Sequence, residues 1–174
     1  MILHRTLLTI ISMLPLATQA QTYHDAANEQ IVGHAKSVTY NRSATLETFQ
    51  FDKEGRIHDK DISHVLYDKQ GWMKSCTTLY MGHPAKMTVS YDAEHRVSCQ
   101  KLELGSSYLL EEFAYANGPC PQKYTVTICY RGVKHSLTTT YSQYQFDAHG
   151  SWTSRAATTD SYTSYETRSI LYWE

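Results

Sequence analysis

The chain has 174 residues, 41% hydrophobic and 19% charged, with a formal net charge of −1. Charges this balanced, interspersed and without a basic stripe, give nothing to track a phosphate backbone, so nucleic acid is not an expected partner. Mean hydropathy is −0.47, and no apolar run approaches the roughly 20 residues of a spanning helix.

Met1 to Ala20 opens with His4 and Arg5, runs apolar from Leu7 to Ala17 and ends on the small-residue tripeptide Thr18-Gln19-Ala20. That is the three-part pattern of a secretory signal peptide, with cleavage expected near Gln21. No Cys stands at the cleavage position, so a lipid-anchored start is not expected. Removing 20 residues leaves 154, enough for a single domain over residues 21–174. The expected location is outside the cytoplasm: periplasm, cell surface or medium.

Residues 21 to 33 are the one candidate helix, with Asp25 as N-cap, Ala26 to Val32 as body and Gly33 as stop. From Lys36 onward Thr, Tyr, Val and Ser fill short runs separated by Gly, Asp, Asn and Pro, the punctuation of an all-β region. The first predicted pair is Leu46 to Phe51 with Arg56 to Ile62, joined by Asp52-Lys53-Glu54-Gly55. Val65 to Tyr67 follows, then the turn Asp68-Lys69-Gln70-Gly71 and a strand from Trp72-Met73 toward Tyr80. After Met81-Gly82-His83-Pro84, Met87, Val89 and Tyr91 alternate toward Asp92-Ala93-Glu94-His95. Here His replaces Gly, a residue that tolerates the left-handed conformation better than a branched one. The register expected across that turn sets Tyr91 against Val97 and Val89 against Cys99.

Cys99 to Leu104 and Tyr108 to Tyr115 form a further predicted hairpin around Gly105-Ser106, and Pro119 and Pro121 then exclude a central ladder. Tyr124, Val126, Ile128 and Tyr130 alternate strictly, as a strand with one apolar face does. Arg131-Gly132 turns into Val133 to Phe146, the turn Asp147-Ala148-His149-Gly150 leads to Trp152 to Thr159, and Tyr165 to Trp173 closes the chain. The predicted architecture is an antiparallel meander of about ten to twelve strands, open or curled, because sequential strands usually pair.

An aromatic-Asp-x-x-Gly unit thus recurs at Phe51, Tyr67, Tyr91 and Phe146, spaced by 16, 24 and 55 residues. Asp accepts bonds from backbone N–H groups further along the turn, and Gly supplies a positive φ. Gly55-Arg56-Ile57, nine residues and Tyr67-Asp68-Lys69-Gln70-Gly71-Trp72-Met73 resemble the Gly-Arg-Leu…Tyr-Asp-x-x-Gly-Arg-Leu unit of RHS/YD repeats. Tyr91 to Val97 and Phe146 to Gly150 resemble degenerate copies. The resemblance implies a strip of hairpins in an exported protein; with so few units and no further domain, the family's toxin-enclosing role does not carry over.

Cys76, Cys99, Cys120 and Cys129 allow three pairings in an oxidising compartment. In a meander Cys76 and Cys99 are separated by a strand, about 9.5 Å, beyond the roughly 7 Å reach of a disulfide. CxxC spacing is absent, and His58 and His64 are the closest His pair with no third ligand at zinc spacing, so no metal or other cofactor is expected. Nucleophile elbows, Walker loops and dinucleotide glycines are also missing.

Glu103, Glu111 and Glu112 on neighbouring strands are the one candidate carboxylate set for glycoside hydrolysis, although alternating charge on a solvated face explains them more simply. Trp72, Tyr144 and Trp152 are the candidate binding residues, since Tyr and Trp present a flat apolar body with a polar tip. The alternative for these three is packing within the repeat. A small outer-membrane barrel is the other alternative, which a signal peptide, about ten strands and an aromatic-rich last strand fit, but it needs an apolar outer row on every strand, and Glu166 and Arg168 in the last strand speak against it. The expected function is a non-catalytic exported β-repeat module that binds a macromolecule, glycan or protein. Its exposed strand edges are compatible with pairing to a second copy.

Overall fold

The computed structural model describes residues 22–42 and 45–174; the expected signal peptide lies outside these residues. The fold is all-β, a single open antiparallel sheet of eleven strands with one short helix, α1 (Asp25–Asn28), before it. The strands are β1 (Ala35–Arg42), β2 (Thr45–Gln50), β3 (Ile62–Tyr67), β4 (Met73–Tyr80), β5 (His83–Tyr91) and β6 (Val97–Leu104). They continue with β7 (Ser107–Ala114), β8 (Lys123–Tyr130), β9 (Val133–Phe146), β10 (Trp152–Thr158) and β11 (Thr163–Tyr172). β3 to β11 run as a meander, and β1 then adds to β11 with β2 outermost, giving the order β2-β1-β11-β10-β9-β8-β7-β6-β5-β4-β3.

Two expectations at the N-terminal end are corrected. The helix is one turn long because Asp25 does not cap it: the Asp25 carboxylate is spent on Ile57 N–H and the Tyr67 hydroxyl, and the capping position, His24, makes no side-chain bond. The predicted strand Arg56 to Ile62 shrinks to a single bridge between Phe51 and Ile57. Asp59 breaks it, its carboxylate accepting from Asp61 N–H at 2.8 Å and its carbonyl from Ile62 N–H at 3.2 Å, a local side-chain turn that competes with the ladder.

The register after Asp92-Ala93-Glu94-His95 also differs. Tyr91 does oppose Val97, but Ser90 opposes Cys99 and Val89 opposes Gln100, because Ser98 is an extra bulged residue. The same insertion follows the turn at Lys74 and at Thr153. One bulged residue sends every later side chain to the other face. Val89 and Met87 therefore share the inner face with Gln100 and Leu102, while Cys99 goes outside with Lys101 and Glu103.

The outer face carries hydroxyl pairs across strands, Thr39 with Thr48, Thr125 with Thr138, Thr127 with Ser136 and Thr158 with Thr163, all at 2.8–3.1 Å. The inner face holds two apolar clusters: Val38, Tyr40, Phe51 and Trp152 packed on Ala26 and Ile31, and Met73, Cys76, Val89 and Val97. The sheet curls so far that Phe49 of β2 shares a recess with Met73 and Thr78 of β4, although these strands stand near opposite ends of the hydrogen-bonded order.

Candidate functional site

Successive hairpins of a meander alternate between two ends, and here the two ends differ in chemistry. All four aromatic-Asp-x-x-Gly units fall at one end. In each, the Asp Oδ1 accepts from the N–H groups two and four residues on: Glu54 and Arg56, Gln70 and Trp72, Glu94 and Arg96, His149 and Ser151, at 2.8–3.0 Å. The fourth turn residue is left-handed throughout, including His95 at φ 58°.

Residues 22–33 seat inside this ring and touch every unit. Tyr23 N–H donates to Glu54 O at 2.9 Å and His24 N–H to Gly71 O at 3.2 Å. The Tyr91 hydroxyl donates to Asn28 at 3.0 Å, Trp152 Nε1–H to Gln30 at 3.1 Å, and Val32 N–H to Ser151 Oγ at 2.8 Å. The segment plugs the hairpin end. Arg168, 5% exposed, locks it, donating from Nε to Trp152 O, from Nη1 to Glu29 O and from Nη2 to Gln30 O.

A substitution series tests the seating. A Cβ on Gly71 would lie 2.0 Å from Thr22 O, while one on Gly150 would meet nothing within 4 Å; φ is +89° and +86° respectively. Gly150→Ala is expected to cost only the left-handed strain of roughly 1–2 kcal/mol. Gly71→Ala should cost more, with amide exchange quickening in residues 22–24. Equal costs in urea titrations would show that the segment does not press on this turn.

The turn carboxylates make stability pH-dependent. Trp72 N–H, with the other turn amides, holds the Asp68 carboxyl below the usual carboxylate range, and Asp52, Asp92 and Asp147 are lowered likewise against the opposing effect of burial. A depressed folded value stabilises fully above the ordinary value of 3.8 and is lost as pH falls through the folded one. Asp25 runs the other way: burial raises its carboxyl despite the Tyr67 bond. The stability advantage of the protein over Asp68→Asn should therefore shrink in urea titrations taken from pH 6 to pH 3. An unchanged difference would contradict the turn's charge-assisted bonds.

The three sequence-predicted binding residues all belong to this end. Trp152 is 1% exposed, beneath the plug. Half-buried Trp72 stacks between His24 and His95, ring centroids 4.2 and 5.2 Å away. Tyr144 donates to Pro121 O at 2.5 Å and stacks on Phe146. They join hairpins to plug and loop and do not form one open platform. The carboxylates are separated too: Glu111 opposes Gln100 on the inner face, whereas Glu112 opposes Cys99 outside and Glu103 pairs there with Lys101 at 2.6 Å. Cys76, inside on β4, and Cys99, outside on β6, are free thiols with β5 between them; Cys120, in the loop before β8, and Cys129, on β8, are free thiols as well, and burial pushes Cys76 up to about 11.

Beyond the plug the curled inner face encloses a recess of about 380 Å³. Arg42 and Glu47 come from β1 and β2, Gln100 and Glu111 from β6 and β7, Arg155 and Glu166 from β10 and β11. Arg155, 4% exposed, lies 3.6 Å from the Tyr141 ring centroid and 4.2 Å from that of Trp152. Its Nε and Nη2 bind one Glu166 oxygen at 2.8 and 2.6 Å, while Nη1 completes no hydrogen bond among the described residues. Burial raises the Glu111 carboxyl, with the Tyr124 hydroxyl donating to it in the opposite sense. The recess shares Gln100 and Glu111 with a second hollow lined by Leu102 and Leu109, and Ile128 and Leu137 continue the same face beyond, about half exposed.

Of this group the sequence singled out only Glu111 as a candidate site residue, because the six members supplied by the sheet lie on six strands. The available signal was charge at inward-alternating positions: Glu111 between Leu109 and Phe113, Arg155 two residues before Ala157. Among the described residues no three His, Cys, Asp or Glu side chains gather to hold a metal ion. No protein-family model and no curated protein matches the chain.

Proposed function

We propose that the protein is an exported, non-catalytic binding module of the cell envelope or surface that holds part of a macromolecular partner in the recess of its curled sheet. The observation that carries this is the recess itself: a half-enclosed chamber that sets carboxylates, guanidinium groups and Gln100 beside the rings of Phe49, Phe113 and Tyr124. Its volume lies within the roughly 300–1,000 Å³ of ligand pockets. The four hairpin units, which resemble RHS/YD repeats, serve the chamber by clamping the plug that floors it. The hydroxyl rows on the outer face favour water over lipid, since a membrane barrel would present an apolar band there.

Gln100 borders the recess and both hollows that adjoin it, so Gln100→Trp fills the chamber from the sheet wall. Immobilised cell-envelope material should retain the protein and release a folded Gln100→Trp variant. Equal retention of both would remove the recess from the function. The secreted protein should begin near Gln21 by mass spectrometry; a full-length chain kept in the cytosol would overturn the export reading.

A further inference from the structure

We infer that the recess takes a neutral pyranose, the end or a protruding residue of a polysaccharide chain; this rests on the binding-module reading and names its ligand class. The inference starts from charge. Arg155 is matched by Glu166 through two of its nitrogens, and Arg42 lies 3.8 Å from Glu47. Neither cation is in excess, and the two further carboxylates of the lining, Glu29 and Glu111, each accept from a hydroxyl, of Tyr40 and Tyr124. An anionic ligand placed at Arg155 would also face Glu111 and Glu47, and a cationic one placed at the carboxylates would face Arg155. Each pays desolvation against a like charge.

What remains unused is neutral hydrogen-bonding capacity of both signs. Gln100 offers a donor and an acceptor, and Glu111 keeps lone pairs beyond the one engaged by Tyr124. Adjacent hydroxyls on a sugar ring give and take hydrogen bonds at short spacing, which suits this set, whereas a peptide backbone offers one donor and one acceptor per residue in fixed directions.

The walls supply the second half of pyranose recognition. Phe49, Phe113 and Tyr124 border the same recess, with the Phe113 and Tyr124 centroids 5.3 Å apart. Flat rings with a polar tip pack against the C–H face of a sugar while its rim hydroxyls reach the polar groups. The half-exposed apolar run through Ile128 and Leu137 extends from the recess along the inner face, where further sugar residues of a chain would lie.

The test is calorimetric titration of the exported protein with maltotriose, cellotriose and chitotriose, alongside trigalacturonate as the acidic sugar and trialanine as the peptide. At least one neutral trisaccharide is expected to bind at millimolar concentration or below, and at least tenfold more tightly than the other two probes. Gln100→Ala and Glu111→Gln, each removing one ligand bond, should weaken that sugar by about tenfold while the melting temperature holds. Tighter binding of trigalacturonate or trialanine overturns the inference, as does a neutral sugar indifferent to both variants. Silence from all three neutral sugars also overturns it; if Gln100→Trp still releases the protein from envelope material, the glycan assignment alone has failed and the binding module stands.

Discussion

Arg168→Met is expected to destabilise the protein by about 3–5 kcal/mol, the range found when a buried charged partner is removed. The side chain is nearly isosteric with the aliphatic stem of Arg, so packing changes little and the loss is electrostatic. Three carbonyls, Trp152 O, Glu29 O and Gln30 O, lose their donor at once, and each buried acceptor left unpaired costs about 1–3 kcal/mol. Relief of the guanidinium's own desolvation, which lowers its pKa, offsets part of this. Arg168→Lys should fall between the two, because an ammonium cannot set three donors in a rigid fork. Urea titrations read the difference. A Met variant within 1 kcal/mol of the parent would mean that the plug is held by its hairpin contacts alone.

Trp152→Ala should cost about 3–5 kcal/mol, as for large-to-small changes in a core. Its ring lies 6.0 Å from Tyr40 and 6.4 Å from Tyr144 by centroids, and it is flanked by the guanidinium groups of Arg155 and Arg168 at 4.2 and 4.0 Å. Truncation therefore empties a cavity and unstacks two cations together. Since Arg168 and Trp152 touch, their effects are not independent. The double variant should be less destabilised than the two single losses combined, and additive losses would show that the stacking carries no energy.

The sheet was legible because it is written locally. Each Asp-x-x-Gly turn, each two-residue turn such as Arg131-Gly132 and the alternation of Tyr124 to Tyr130 is complete within a dozen residues. What escaped is non-local or one residue wide. The bulges at Lys74, Ser98 and Thr153 have no composition signal, yet each reverses the facing of the strand it opens. β1 lacks a strong alternation, and its place beside β11 depends on Tyr40 and Val38 meeting Trp152 and the plug from far along the chain. Asp25 looks like a helix cap in sequence; only the fold brings Ile57 and Tyr67 to its carboxylate. The recess is the extreme case, assembled from single residues on six strands.

The pairing of β1 with β11, with residues such as Val38 and Ile170 opposite one another, sets a timetable for the chain. β3 to β10 can form hairpin by hairpin as they emerge, but β1, β2 and the plug have no seat until β11 exists, because Arg168 and half of the β1 ladder are made last. Contacts of this span are slow to form. A nascent chain is thus held short of its native state until β11 has been made, and the recess, which takes Glu166 from that strand, is among the last features to close.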